Sequence, residues 1–186
     1  MSLKSYVYAL SLVAILPFAS VSAASDAGAC TDTTEKKQLC EFEDGVSAYH
    51  VGEGLFVTSD SQGDVKIGVT KFIRDANDEV DGRNNIDAMA AHEESYPAFE
   101  ICQSMGNGWY LPAAREIRSA FMNVPRRTEE LTDKRFLTST FIQDGFGTQS
   151  VTALDTRSRH FFPVLNSDGL IVNDMDYQVA CVRNIN

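Results

Sequence analysis

Apolar positions along the chain fall into three regimes. From Tyr6 to Phe18 they run almost without a break, interrupted only by Ser11. From Ala48 they come in short β-like runs, AYHV, GLFVTS and VKIGVTKFI, punctuated by Gly52, Gly54 and Gly63. After the polar stretch DANDEVDGRNNID, from Asp75 to Asp87, the spacing becomes helical. One helical stretch covers about Ile86 to Met105, restarting at Ser95-Tyr96-Pro97 with Pro97 in a first turn. Phe99 and Cys102 share a face there, and Gly106-Asn107-Gly108 stops it. A second helix opens at Pro112, carries Ile117, Ala120, Phe121 and Val124 as its apolar stripe, and ends at Pro125. Strands return over FLTSTFI, SVTALD, HFFPVL, LIVND and QVACVRNI, with Asn166-Ser167-Asp168-Gly169 as a hairpin turn. Strands, two helices, then strands predict an α+β domain with a mixed or antiparallel sheet, in which the two ends of the chain pair.

The first apolar regime reads as an address. Lys4 supplies a positive start, Pro17 precedes small residues, and Val21 and Ala23 flank Ser22 as a cleavage signature. Tyr6 to Phe18 is 13 residues, whereas a bilayer span needs ~20. Residues 1–23 are therefore expected to be a signal peptide, leaving 163 of the 186 residues in the mature chain. The protein is expected to be exported, to a periplasm, a cell surface or the medium, without a transmembrane span. Residues 24–47 read as a flexible polar lead-in, ordered around a local disulfide, and residues 48–186 as the domain. The small residues Ala27-Gly28-Ala29 before Cys30 suggest acylation of that cysteine as an alternative, but the Leu three residues before it is missing.

Charge then narrows the partners. The formal net charge is −10, which argues against nucleic acid and anionic membrane surfaces, both of which recruit Lys and Arg. Export also changes the meaning of the four cysteines, Cys30, Cys40, Cys102 and Cys181. An even number in an oxidising compartment predicts two disulfides, with three connectivities open. There is no CxxC, and His50, His92 and His160 are scattered without ligand spacing.

A more specific signal lies in the middle of the chain. Gly82-Arg83-Asn84-Asn85 precedes a helical Cys102, then Gly108-Trp109-Tyr110-Leu111-Pro112, Glu116 leading the next helix, Ser139-Thr140, and Cys181-Val182-Arg183. This pattern resembles the C-terminal domain family of the Legionella collagen-like proteins, exported bacterial modules with a C-type-lectin-like fold. The likeness runs from about Val51 to the C-terminus, and its Trp-Tyr-Leu-Pro core is the discriminating piece. It implies a disulfide-closed C-type-lectin-like domain with Cys102 opposite the last strand and bonded to Cys181, which leaves Cys30 to pair with Cys40. Trp109, Leu111, Pro112 and Glu116 are then fold-specifying residues: 109 and 111 share one face of an extended run, and Glu116 complements a helix dipole.

Three classes of function compete. Calcium, the first candidate for a lectin-like fold, points to the loop of Asp75, Asp78, Asp81 and Asp87. Read as an EF-hand with Gly82 at the turn, that loop puts Ala88 where a bidentate Glu is required, so the EF-hand is rejected. Glu-Pro-Asn and Gln-Pro-Asp, the marks of calcium-dependent sugar lectins, do not occur, and Val172-Asn173-Asp174 is only a faint echo of their Trp-Asn-Asp. A calcium site of another kind, built from Asp75, Asp78, Asp81 and Asp87, is the alternative to a merely solvated acidic loop; no metal or other cofactor is expected. Catalysis, as in enzymes of the same fold superclass, would need more than His92-Glu93-Glu94 or Arg157-Ser158-Arg159-His160, because no nucleophile, zinc or phosphate-loop motif is present. Binding remains: a non-enzymatic adhesion-type module for a glycan, glycosaminoglycan or protein, or else a subunit of a surface or pilus-like assembly. Its candidate ligand residues are Asp75, Asp78, Asp81 and Asn84, and Phe146 in QDGFGTQ; the connector from Arg126 to Arg135 is a further variable loop.

Overall fold

The computed structural model describes residues 28–66, 73–92, 96–125, 128–143, 149–164 and 176–186. The expected signal peptide, the hairpin turn at 166–169, LIVND and Phe146 lie outside the described residues. Among the described residues, ten strands form two five-stranded sheets rather than the single sheet expected. The first sheet contains β1 (Gly28–Ala29), β2 (Leu39–Glu41), β3 (Ser47–Gly52), β4 (Leu55–Thr58) and β10 (Val182–Asn184), side by side in that order. The second runs β5 (Gly63–Lys66), β9 (Asp176–Val179), β6 (Arg135–Gln143), β7 (Gln149–Asp155) and β8 (His160–Val164). Within these sheets β2–β3–β4–β10 and β6–β7–β8 are antiparallel, while β1–β2 and β6–β9 are parallel pairs.

The split into two sheets happens at Ala180-Cys181. QVACVRNI reads as one strand, yet β9 pairs with β5 and β6 while β10 pairs with β4. Cys181 therefore sits at the crossover between the sheets, not within a strand. Residues 28–47 are also part of the sheeted body. Cys40 lies opposite Ala48 across β2–β3, and Phe42 is buried against Phe56 and Trp109 at ring distances of 5.1 and 5.3 Å.

Among the described residues there are three α-helices instead of two. The first helical stretch is broken into α1 (Ile86–Ala90) and α2 (Pro97–Ser104), with Pro97 in the first turn of the second. The third, α3 (Ala114–Asn123), buries Ile117 and Ala120, and Val124 just beyond it. The sequence pattern opens this helix at Pro112, but α3 starts two residues later. The Pro112 carbonyl accepts instead from Ser139 N–H at 2.8 Å, so this residue serves the second sheet.

β6 explains how polar residues survive in the core. Six consecutive residues, Phe136 to Phe141, are buried, including Thr138, Ser139 and Thr140. Its register against β7 shifts between Leu137 and Phe141, and there the strand bonds outward, to Pro112 from Ser139 N–H and to Ala76 from Phe141 N–H. Thr138 Oγ1 lies 2.5 Å from Thr152 Oγ1, so the hydroxyls find partners as well.

Cys30 is bonded to Cys40 and Cys102 to Cys181, the pairing expected from the resemblance. Among the described residues no helix is long and apolar enough to cross a membrane.

One buried side chain is not accommodated. His50 in β3 is 8% exposed and stacks on Phe56 at 4.8 Å, yet neither ring nitrogen has a hydrogen-bond partner among the described residues. A buried unsatisfied polar group costs about 1–3 kcal/mol. His50→Phe should keep the stack and remove that cost, leaving the urea midpoint unchanged or higher. A fall worth more than about 1 kcal/mol would reveal a partner for the ring.

Candidate functional site

The loop before α1 is held by its own carboxylates. Asp78 Oδ1 accepts from the N–H groups of Val80 and Asp81 at 2.7 and 2.9 Å, and its Oδ2 accepts from Asn84 Nδ2 at 2.7 Å. Asp81 caps the 3₁₀ turn Gly82–Asn85 by accepting from Arg83 N–H, and pairs with the Arg83 guanidinium at 2.7 Å. Those bonds hold both carboxyls below the usual range: for Asp78 chiefly the Asp81 N–H, for Asp81 chiefly the Arg83 side chain. Asp75 and Asp87 are exposed.

Three of the four acidic or amide groups expected to bind a ligand thus shape this loop. Among the described residues no group of three or more His, Cys, Asp or Glu is placed to hold a metal. A calcium ion would have to compete for oxygens that already serve N–H groups. Millimolar calcium is therefore expected to leave the melting temperature where chelator leaves it. A rise would require the loop carboxylates to converge on the ion by mass action.

Beneath the loop, the residues of the Gly-x-x-Asn, Trp-x-Leu-Pro, Glu and Ser-Thr motifs contact one another. Buried Asn85 accepts from Asp78 N–H through Oδ1 at 2.9 Å, and donates through Nδ2 to Asp78 O and Ser139 Oγ. Thr140 Oγ1 donates to Asp78 O at 2.8 Å and accepts from Ala114 N–H at 2.9 Å. Glu116 Oε2 accepts from the N–H groups of Gly82 and Ala113 at 3.0 and 3.1 Å, and its Oε1 accepts from Tyr110 Oη at 2.5 Å.

These bonds also solve the problem of starting α3. Its cap residue Ala113 has no side-chain oxygen, so the orphan N–H groups of the first turn are met from elsewhere. Ala113 N–H goes to Glu116, Ala114 N–H to Thr140, and Arg115 N–H to Glu79 O at 2.6 Å. Burial pushes the Glu116 carboxyl up, against the pull of its three donors. Burial, reinforced by the Glu116 charge, raises the Tyr110 phenol as well.

A second cluster ties the lead-in to the end of the chain. Asp44 Oδ2 accepts from Asn107 Nδ2 at 3.0 Å and Trp109 Nε1 at 3.3 Å, and lies 3.5 Å from Arg183 Nη1. The Arg183 guanidinium stands over the Phe42 ring at 4.4 Å. Desolvation would raise the Asp44 carboxyl, but the Asn107, Val46 and Trp109 donors and the Arg183 charge together hold it below the usual range. Trp109 and Leu111 are 2% and 1% exposed, so they are core and leave only the indole N–H to a polar partner.

Sequence reasoning missed Asp44 and Phe42. They fall in a polar stretch with a three-residue strand and no periodic signal. His160 is exposed at the start of β8 and His92 lies just beyond α1, while Glu93 and Glu94 fall outside the described residues.

The surface above this framework is a hollow of about 360 Å³ along one flank of α3. It is lined by Arg115, Ser119 and Asn123 of α3, by Glu53 of the β3–β4 turn, and by Asp81 and Arg83. Lys36, Val80 and Asn184 also stand at the rim, with Val51, Gly52, Leu55 and Glu116 deeper in the lining, and Val80 is 63% exposed. Mixed charges and amides at a shallow rim hold hydroxyl-rich or zwitterionic groups by paired hydrogen bonds.

Fold and site together define an α+β domain of two sheets and three helices, closed by two disulfides, with its shaped polar loop at the surface. Comparison of the chain with family models, with curated proteins and with solved structures finds no match.

Proposed function

We propose that this protein is an exported, non-enzymatic binding module of C-type-lectin-like fold, related to the C-terminal domains of the Legionella collagen-like proteins. The observation that carries the reading is the division of labour around Asp78–Arg83. The residues of the family-like motifs bond to one another underneath, and the loop they hold presents Val80, Asp81 and Arg83 to the hollow beside α3. A rigid frame that offers a shaped polar loop is how such modules recognise ligands. The mixed-charge rim suits a glycan, a glycosaminoglycan or a polar protein segment. Two disulfides agree with an oxidising destination, a periplasm, a cell surface or the medium.

Array screening of the oxidised protein against glycans, glycosaminoglycans and matrix proteins, beside a hydrolase and oxidase panel, tests this reading. Saturable binding without turnover is expected. Turnover abolished by His92→Ala or His160→Ala would replace the reading with an enzyme of the same superclass. Co-purification with a polymeric assembly would replace it with a structural subunit.

A further inference from the structure

The opposite flank of α3 carries a second, chemically different cavity. It encloses about 530 Å³ and is bounded by Arg118, Phe121, Met122 and Val124, by the chain after the helix at Pro125, Thr128, Leu131 and Thr132, by Leu154 and Thr156, and by Lys37 and Arg159. Its apolar wall is continuous with the core, since Val124, Leu131 and Leu154 are buried there. Met122, by contrast, is 58% exposed. The only other large apolar side chain so exposed among the described residues is Val80, on the first hollow.

The charges distinguish the two cavities. The first hollow is lined by both signs. Among the described residues the second carries three cations, Lys37, Arg118 and Arg159, and no carboxylate, in a chain whose net charge is −10. None of the three is in an ion pair among the described residues. Acidic residues outnumber basic ones 26 to 16, so a carboxylate-free patch with three unpaired cations over an apolar wall is an arrangement that composition opposes.

Backbone conformation adds an independent observation. Lys37 and Arg159 lie at φ of 71° and 60°, two of five non-glycine residues in the left-handed region among the described residues. Each turn is fixed by a 2.7 Å backbone bond, Lys37 N–H to His50 O and Arg159 N–H to Asp155 O. Glycine suits that region better than any residue with a Cβ. Long cations are held at two positions where folding alone favours glycine, and both line this cavity.

We propose that this cavity binds a small organic anion with an apolar body, its acidic group held by Lys37, Arg118 and Arg159 and its body laid against Phe121, Met122 and Val124. A cavity of this size matches a drug-sized ligand; the three cations are exposed at its rim, where they attract an anion in a salt-dependent way, while the apolar wall takes up the body. The site is separate from the hollow on the other flank of α3, so the two stand or fall independently.

Anilinonaphthalene sulfonate and its neutral counterpart phenylnaphthylamine, which share one body and differ by the sulfonate, test the proposal on the folded, oxidised protein. Fluorescence titration should show one saturable site per chain for the sulfonate, weakened by salt, and markedly weaker binding of the neutral amine. Arg118→Gln should weaken the sulfonate about tenfold, the worth of one charge-assisted hydrogen bond. Arg159→Gly should weaken it similarly while the melting temperature holds or rises, which a purely structural Arg159 would not produce. Arg74→Gln, at an exposed residue that lines neither cavity, should leave the affinity for the sulfonate unchanged. Equal binding of the two probes, or full affinity in Arg118→Gln and Arg159→Gly, would overturn the proposal. It would leave the array-based reading of the first hollow intact.

Discussion

Cys102→Ala with Cys181→Ala is expected to leave the domain barely folded, while Cys30→Ala with Cys40→Ala leaves it folded. The long bridge spans 79 residues and the short one 10. Loop-closure entropy gives them roughly 4–5 and roughly 2–3 kcal/mol, against a domain total of roughly 5–15 kcal/mol. Position widens the gap. Cys102 lies in α2, and Cys181 lies where the chain passes from β9 in one sheet to β10 in the other, both fully buried. Losing that bridge frees α2 from the crossover that holds the sheets together. Cys30–Cys40 instead fastens the two-residue β1 beside β2 at a sheet edge. Urea midpoints of the two double variants decide the matter, and an equal or larger loss for the short bridge would contradict this ranking.

Glu116 is the second site of large expected effect. Glu116→Ala strands Gly82 N–H, Ala113 N–H and Tyr110 Oη without their acceptor, and should cost roughly 3–5 kcal/mol. Glu116→Gln should cost less, about 1–3 kcal/mol, because only the Tyr110 hydroxyl proton loses its acceptor. Its amide oxygen can take the two backbone donors while its NH₂ donates to Tyr110 Oη. Gly82→Ala should damage the same junction from the other side, because a Cβ there would lie 2.4 Å from Leu111 O and 2.9 Å from Ala113 N, both backbone atoms.

The junction also has a pH signature. Burial raises the Glu116 carboxyl above its ordinary value of 4.5, so the folded protein holds this proton more tightly than the unfolded chain. Its contribution is most favourable at low pH and declines as pH rises through the window above 4.5. Asp78 and Asp81 act oppositely: their depressed values favour folding above the ordinary carboxylate range, and that benefit is lost as pH falls through the folded values. Glu116→Gln should therefore gain on the parent protein as pH rises from acid to neutral. A parent that gains on Glu116→Gln over that interval would show the carboxylate to be favoured in the fold.

Much of this architecture is readable from local pattern. Pro97 and Pro125 bound helices, and short β-like runs bounded by turn residues mark β3, β4, β7 and β8. The partition into two sheets is not readable, because period-two alternation tells which face a residue takes but not which strand lies beside it. QVACVRNI carries no turn residue at Ala180-Cys181, yet the chain changes sheet there. β2 is too short, at Leu39–Glu41, for any periodicity to register. The start of α3 was displaced because Pro112 satisfies a helix-opening rule, whereas its carbonyl is taken by Ser139, 27 residues on. The motif residues were legible as important but not as mutual partners. Gly82 and Glu116 are 34 positions apart, and only the fold shows that one donates to the other.

The central claim is that ligand meets the exposed loop and the α3 flank while the motif residues beneath only hold them. It is tested most directly by titrating the array-selected ligand into Arg83→Gln/Arg115→Gln and into Tyr110→Phe. The first variant removes two guanidiniums from the hollow and should lose about tenfold or more in affinity, with the melting temperature little changed. The second removes one donor to buried Glu116 and should melt earlier, yet bind with parental affinity while folded. The reverse pattern, with affinity kept in the double variant and lost in Tyr110→Phe, would contradict it.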